Sequence, residues 1–278
     1  MSLKRDDSGR LHIDTPLMAE SLMDRGLLAQ TGSGEVFRPL PDLQVLKLGG
    51  QSVIDRGAAV VLPILEEISA ARPAHKILVM TGGGTRSRHA YAIALDLGMP
   101  TGVLAKLGAG ISQQNALMIA MLLAPSGGVQ IAHDDLVKLP GYLALGAIPV
   151  MEAMPPYSLW EKPDRVGRIP PHRTDVGTLL TAEVMGAGRV ILVKDEQGLF
   201  TADPKKDPEA AFIAEIEVNE LIARDLDDLA VERTMLDALA NARSVSEVLI
   251  VNGRERGALT AALNGENPGS RIYREPGG

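Results

Sequence analysis

Cysteine is absent from this chain of 278 residues. That removes disulfide frameworks and thiolate metal sites from consideration and makes an intracellular setting the simplest expectation. Aromatic residues are scarce, at 3%, so the core must be built from aliphatic side chains, as in strands buried on both faces of a parallel sheet. Positive charge is in deficit: 28 Lys and Arg stand against 35 Asp and Glu, for a formal net charge of −7. Broad nucleic-acid or anionic-membrane surfaces depend on clustered cations, so neither partner is expected, although a local basic pocket is compatible with the balance. No uninterrupted apolar run reaches membrane-spanning length, and residues 1–7 lack the apolar segment of a signal peptide. The expectation is a cytoplasmic protein.

What the chain does have is a repeated design. Hydrophobic residues make up 45% and charged residues 23%, ordinary values for a globular protein long enough to bury a large core. Residues 1–42 mix charges, an amphipathic stretch at 17–23 and a small-residue turn at 31–34, before Pro39 and Pro41 interrupt the pattern. They are read as an extension docked on a neighbour. From residue 43 short apolar runs alternate with small-residue turns and helical patterns, the signature of β-α units in a parallel sheet. Val45-Leu46-Lys47-Leu48 leads into Gly49-Gly50 and a helix over about 58–71, and Lys76-Ile77-Leu78-Val79-Met80 leads into Thr81-Gly82-Gly83-Gly84. Val190-Ile191-Leu192-Val193 follows a helical pattern over about 175–185 ended by Gly186 and Gly188. Val248-Leu249-Ile250-Val251 runs into Asn252-Gly253. Residues 116–123 read as a buried helix, and 155–171 as a long proline-rich loop carrying the only tryptophan, Trp160. The domain over 43–278 is expected to have an anion or substrate half, about 43–170, and a nucleotide half, about 171–278.

A turn directly after a parallel strand lies at the carboxyl edge of the sheet. Glycine there lets backbone N–H groups approach a phosphate, and the next helix start adds positive potential. Gly49-Gly50 and Gly82-Gly83-Gly84 have this character, although a tight strand-to-helix turn calls for glycine on backbone grounds alone. Neither is a Walker loop or a Gly-x-Gly-x-x-Gly fingerprint. Lys47 stands inside an apolar strand, a costly place for an ammonium unless it reaches an anion or snorkels past the strand's end. Arg86 and Arg88 are candidates to meet a phosphate or oxyanion, or are exposed residues of a first helical turn. Arg173-Thr174-Asp175 precedes an apolar helix, so Thr174 or Asp175 can cap it. An aspartate near the lysine and the glycine turns can equally orient that lysine or a magnesium ion, because phosphoryl transfer is mainly positioning and charge neutralisation. His172 is a weaker candidate, and His75, His89 and His133 show no ligand spacing.

The segment Val193-Lys194-Asp195-Glu196-Gln197-Gly198-Leu199-Phe200-Thr201-Ala202-Asp203-Pro204-Lys205-Lys206-Asp207-Pro208 resembles the nucleotide-binding stretch of the amino acid kinase superfamily, uridylate kinases especially. Lys47-Leu48-Gly49-Gly50, Thr81-Gly82-Gly83-Gly84, Arg173-Thr174-Asp175 and Val251-Asn252-Gly253 fall in the order of that pattern. The resemblance implies a three-layer α/β/α sandwich with a mainly parallel central sheet. It implies that Lys194, Asp195, Gly198, Phe200, Asp203 and Lys205 surround MgATP, and that Lys47, Gly49, Gly50, Gly82, Gly83, Gly84 and Asp175 face the phosphoryl-transfer centre.

Residues 47–57, 85–89, 154–160 and 169–175, with the extension and the proline-rich loop, are similar to the molybdenum storage branch, its beta-type chains in particular. That similarity implies a hexameric cage shared with an alpha-type subunit. In it, ATP-dependent uptake deposits molybdate or tungstate as polyoxometalate clusters. One departure is apolar Ile111, standing where the alpha-type pattern carries an acidic residue. Two other functions fit the same residues: a uridylate-kinase-like enzyme transferring the γ-phosphoryl of ATP, and a nucleotide-binding subunit that serves a more active partner.

Overall fold

A computed structural model describes residues 3–5, 7–9, 11–13, 25–32 and 34–275. It divides into two compact units, Met1–Phe37 and Arg38–Gly278. In the first, β1 (Leu3–Arg5) and β2 (Leu11–Ile13) form an antiparallel hairpin with Leu3 opposite Ile13, and α1 (Arg25–Gln30) is a short helix with no buried residue. The amphipathic stretch read at 17–23 lies outside the described residues, as does Ser33 of the small-residue turn.

The second unit is built on one eight-stranded sheet. Its strands are β3 (Leu43–Leu48), β4 (Lys76–Thr81), β5 (Gly128–Gln130), β6 (Ile148–Glu152), β7 (Arg189–Lys194), β10 (Glu215–Glu217), β11 (Glu247–Asn252) and β12 (Ser270–Tyr273). A separate two-residue hairpin joins β8 (Leu199–Phe200) to β9 (Phe212–Ile213). The strand order is β10-β12-β11-β7-β3-β4-β6-β5. Pairing is parallel from β11 across to β5, whereas β12 runs antiparallel to β11. This is the mainly parallel sheet expected from the sequence.

Strand residues alternate between faces, and the apolar runs are continuous because both faces are covered. Val45, Leu78, Met80, Val190 and Leu192 point to one side, where α6 (Thr174–Met185), α7 (Val218–Arg224), α8 (Arg233–Ala240) and α5 (Leu139–Ala144) pack. Leu46, Leu48, Val79, Ile191 and Val193 point to the other, against α2 (Ala58–Ala71), α4 (Thr101–Leu123) and α9 (Ala258–Leu263). Helix α3 (Gly84–Asp96) packs on α4 through Tyr91, Ala94 and Leu104.

After β6 the chain crosses β4 and β3 to enter β7 on the far side of β3. The strand order therefore reverses at β3, and the carboxyl ends of β3, β4 and β7 meet there. A crevice at such a reversal is where open α/β sheets bind ligands. Helix α2 has the bounds read from the sequence, and α6 begins one residue earlier. Helix α4 is a correction: it spans 23 residues rather than 116–123. Within it, Ser112 and Asn115 are buried while Leu117, Met118, Met121 and Leu122 are exposed, so polarity does not track the faces. By length and composition, Thr101–Ser126 is the one helix among the described residues that could cross a membrane; 44% of its most apolar window is buried against the protein.

Candidate functional site

Lys47 follows Val45 by two residues and so shares its face; on β7, Lys194 follows Leu192 in the same way. Helix α6 lies across that face and starts at the carboxyl edge, with Asp175 in its first turn. The three side chains therefore converge. Lys47 Nζ donates to Asp175 Oδ1 at 2.5 Å, and Lys194 Nζ donates to Oδ2 at 3.1 Å and to the Ala230 carbonyl. Lys47 and Asp175 are only 5% and 3% exposed, so this is a buried charge centre, not a snorkelling lysine. Burial is the largest single influence on Asp175 and opposes its ionisation. The charges of Lys194 and Lys47, with their hydrogen bonds, together outweigh it and hold the carboxyl below the usual range. Burial lowers the Lys194 ammonium, Asp175 partly restores it, and the charge of Lys47 lowers it again.

Neither Thr174 nor Asp175 caps α6. The cap comes from Glu232, at the entry to α8, whose carboxylate accepts the backbone N–H groups of Arg173, Asp175 and Val176 at 3.1–3.2 Å. In return the Glu232 N–H donates to Asp175 Oδ2 at 3.3 Å. Burial, and then the charge of Asp175, push the Glu232 carboxyl above its ordinary value, with Arg173 and Lys47 opposing. Sequence reading missed this residue; among the acids of 225–232 only tertiary structure singles it out.

The glycine turns are explained by close approach. A Cβ on Gly50 would lie 2.1 Å from the backbone nitrogen of Gly84, and one on Gly49 would lie 2.0 Å from Ser52 Oγ. Gly84 has φ of 72° and lies against the Asp55 carboxylate, which accepts the Thr85 N–H at 2.6 Å. From α4, Asn115 Nδ2 donates to the carbonyl of Gly82 at 2.6 Å and more weakly to that of Gly83 at 3.4 Å. A trans peptide sets C=O and N–H antiparallel, so this pull turns the N–H groups of Gly83 and Gly84 away from α4. Arg86, read as a phosphate candidate, instead donates to Asn115 and Gln114 and does not line the cleft; Arg88 does.

These parts surround a cleft of about 530 Å³ lined by Lys47, Asp175, Lys194, Asp195, Lys205 and all five predicted glycines of the two turns. A smaller hollow of about 190 Å³ shares Lys205, Leu229 and Ala230 with it and adds Gly198, Phe200 and Asp203. Lys47, Asp175, the five glycines, Lys194, Asp195, Gly198, Phe200, Asp203 and Lys205 thus each lie in one of two adjoining spaces, whereas Arg86 lies in neither. Their combined size is that of a cofactor site. At the mouth Arg56 pairs with Asp195 and Lys205 with Glu196. His172 is not in the cleft: its Nδ1 is 2.9 Å from Glu161 of the proline-rich loop. Among the described residues no three acidic or histidine side chains group as a metal site, and Asp175 and Glu232 are already engaged. Magnesium fits here only as an ion carried largely by a nucleotide's own phosphates.

A family model described as the amino acid kinase family matches residues 42–252. The molybdenum storage protein subunit beta of Azotobacter vinelandii is 49% identical, over 92% of this chain and 95% of its own. The uridylate kinase of Methanobrevibacter smithii is 27% identical, over 71% of this chain and 84% of its own. Among solved structures, uridylate kinase from Archaeoglobus fulgidus matches with a TM-score of 0.64 at 20% identity, covering 83% of this chain and 99% of that one. That last likeness is one of fold.

Proposed function

The chain belongs to the amino acid kinase family, and from that premise we propose that it is an ATP-binding subunit of a molybdenum storage assembly. Its role is to support ATP-dependent deposition of molybdate or tungstate as polyoxometalate clusters in an oligomeric cage. One observation carries the reading: the 49% identity to a storage-protein beta subunit extends over nearly the whole of both chains, well above the 27% to a uridylate kinase.

The cleft's chemistry supports it. ATP lies with its phosphates toward Lys47, Lys194 and the two glycine turns, and its nucleoside toward Gly198, Phe200 and Asp203. Asp175 fixes the spacing of the two ammonium groups, so the positive charge is organised before a polyphosphate arrives. Bound magnesium supplies further neutralisation of phosphate charge. Molybdate is a tetrahedral dianion like phosphate, and donors shaped for one serve the other. The assembly is a hexamer completed by an alpha-type subunit.

The test is elemental analysis of the full chain purified from molybdate-fed cells, alone and co-expressed with an alpha-type subunit. Molybdenum retained only when MgATP is supplied is the expected outcome; protein free of molybdenum in both preparations overturns the reading. The Lys47–Asp175–Lys194 centre also favours a second reading, phosphoryl transfer to UMP or an acidic metabolite. A substrate panel decides it, and Lys47→Ala abolishes any transfer found.

A further inference from the structure

Helices α7 and α8 are joined by the segment 225–232, which forms a wall common to the cleft and the smaller hollow: Leu229 and Ala230 line both. Its two ends are drawn together by one side chain. Arg233, the first residue of α8, reaches back to donate to the Asp225 carboxylate and, at 2.5 Å, to the Leu226 carbonyl. A cation in the first turn of a helix opposes the helix dipole, so the dipole does not hold Arg233 there; the fork across two consecutive residues does. Asp225 has φ of 42°, the only positive value outside glycine among the described residues and an uncommon conformation for a residue with a side chain. The segment is thus turned back sharply where Arg233 grips it.

Between those ends the segment touches both halves of the site. The Ala230 carbonyl accepts Lys194 Nζ, which also donates to Asp175 Oδ2 at 3.1 Å. Glu232 is the N-cap residue of α8 yet makes no side-chain cap to it; its carboxylate goes to α6 instead. On the other flank Asp228 accepts from Lys206 Nζ at 3.2 Å, the neighbour of Lys205 in the chain. A wall pinned at both ends shifts as one piece. A ligand packed on Leu229 and Ala230 from the hollow therefore also sets the Ala230 carbonyl and the Glu232 carboxylate on the cleft side.

Resting on the ATP-binding reading above, we propose that Arg233 is a positioning residue and that segment 225–232 makes the two halves of the nucleotide bind cooperatively. A nucleoside that orders the segment readies Lys194 and Asp175 for the polyphosphate, and the reverse. The cost of ordering falls on whichever part binds first, so the second binds more tightly, and linkage makes the effect reciprocal. Arg233 lines neither space and acts only by keeping the segment in one piece. Without that pin, movement at residues 229–230 is absorbed at 225–226 and does not reach Glu232.

Calorimetric titration of the full chain with magnesium tripolyphosphate, with and without excess adenosine, provides the test, with MgATP titrated in parallel. In the wild type adenosine is expected to tighten tripolyphosphate binding at least about fivefold. Arg233→Met is expected to cut that gain to less than about twofold, while tripolyphosphate alone keeps its affinity to within about twofold, because Lys47, Asp175 and Lys194 stay paired. Asp225→Gly removes the ion pair but relaxes the positive φ. The same loss of coupling is expected of it, which keeps the test available if Arg233→Met fails to fold. A gain undiminished in a folded variant overturns the role of Arg233 whatever the thermal midpoint, since a merely structural residue shifts stability alone. Tripolyphosphate that binds the wild type no better with adenosine than without it, MgATP binding being intact, overturns the coupling and leaves the ATP-binding reading standing. A wild type that binds no MgATP overturns both.

Discussion

At Asp175 one buried carboxylate serves two ammonium groups. Removing the carboxylate strands both cations, whereas removing Lys47 leaves Asp175 still paired with Lys194. Stranding buried charge costs about 3–5 kcal/mol. Asp175→Asn is therefore expected to lower the thermal midpoint more than Lys47→Met, and calorimetry giving the reverse order would contradict this charge balance. The two cleft carboxyls also carry opposite pH signatures. Asp175, held below its unfolded value, contributes stability that is complete above about pH 4 and is lost as pH falls through its folded value. Glu232, raised above its unfolded value, contributes stability that is present below about pH 4 and is lost as pH rises through its folded value. Urea midpoints measured across pH should lose their acid-side fall in Asp175→Asn. In Glu232→Gln the decline that starts above about pH 4 should flatten instead.

Helix α6 carries Asp175 into place, and Gly177 lets it approach the sheet. A Cβ there would lie 1.9 Å from the Ala153 carbonyl oxygen and 2.9 Å from the Pro155 nitrogen, both backbone atoms that cannot swing aside. In an exposed helix, glycine to alanine gains about 1 kcal/mol. Gly177→Ala is expected to have the opposite sign, costing about 1–3 kcal/mol through overpacking, and to weaken the MgATP binding proposed above because Asp175 moves with the helix. A thermal midpoint equal to or above wild type would show that the approach is not tight. Elements were legible in the sequence where one periodicity held. The run 58–71 repeats its apolar face every turn, and the turns ending in glycine mark the strand ends. Helix α4 was under-read because Ser112 and Asn115 face inward while Leu117 and Met121 face out. Lys47 could be recognised as a charge in an apolar strand. The partner that caps α6, Glu232, could not, because its role depends on a contact 57 residues away from Asp175 along the chain.

For the molecule as a whole, the sequence's alternating pattern gave the parallel sheet, but strand order is a property of long-range pairing. The reversal at β3 explains why segments as distant as 47–50, 82–84, 175 and 194–205 close on one cleft. That cleft also limits what one chain can hold. At about 530 Å³ it suits a nucleotide and a small anion. Under the storage role proposed above, a polyoxometalate of many metal centres therefore needs space enclosed between chains, where several copies or a partner subunit contribute the walls. Native mass spectrometry combined with metal analysis should accordingly find molybdenum above one atom per chain only in fractions whose mass is a multiple of the single-chain mass of 29.5 kDa, or that include an alpha-type subunit. Monomeric fractions loaded with several metal atoms per chain would place the deposit inside one fold and contradict the cage.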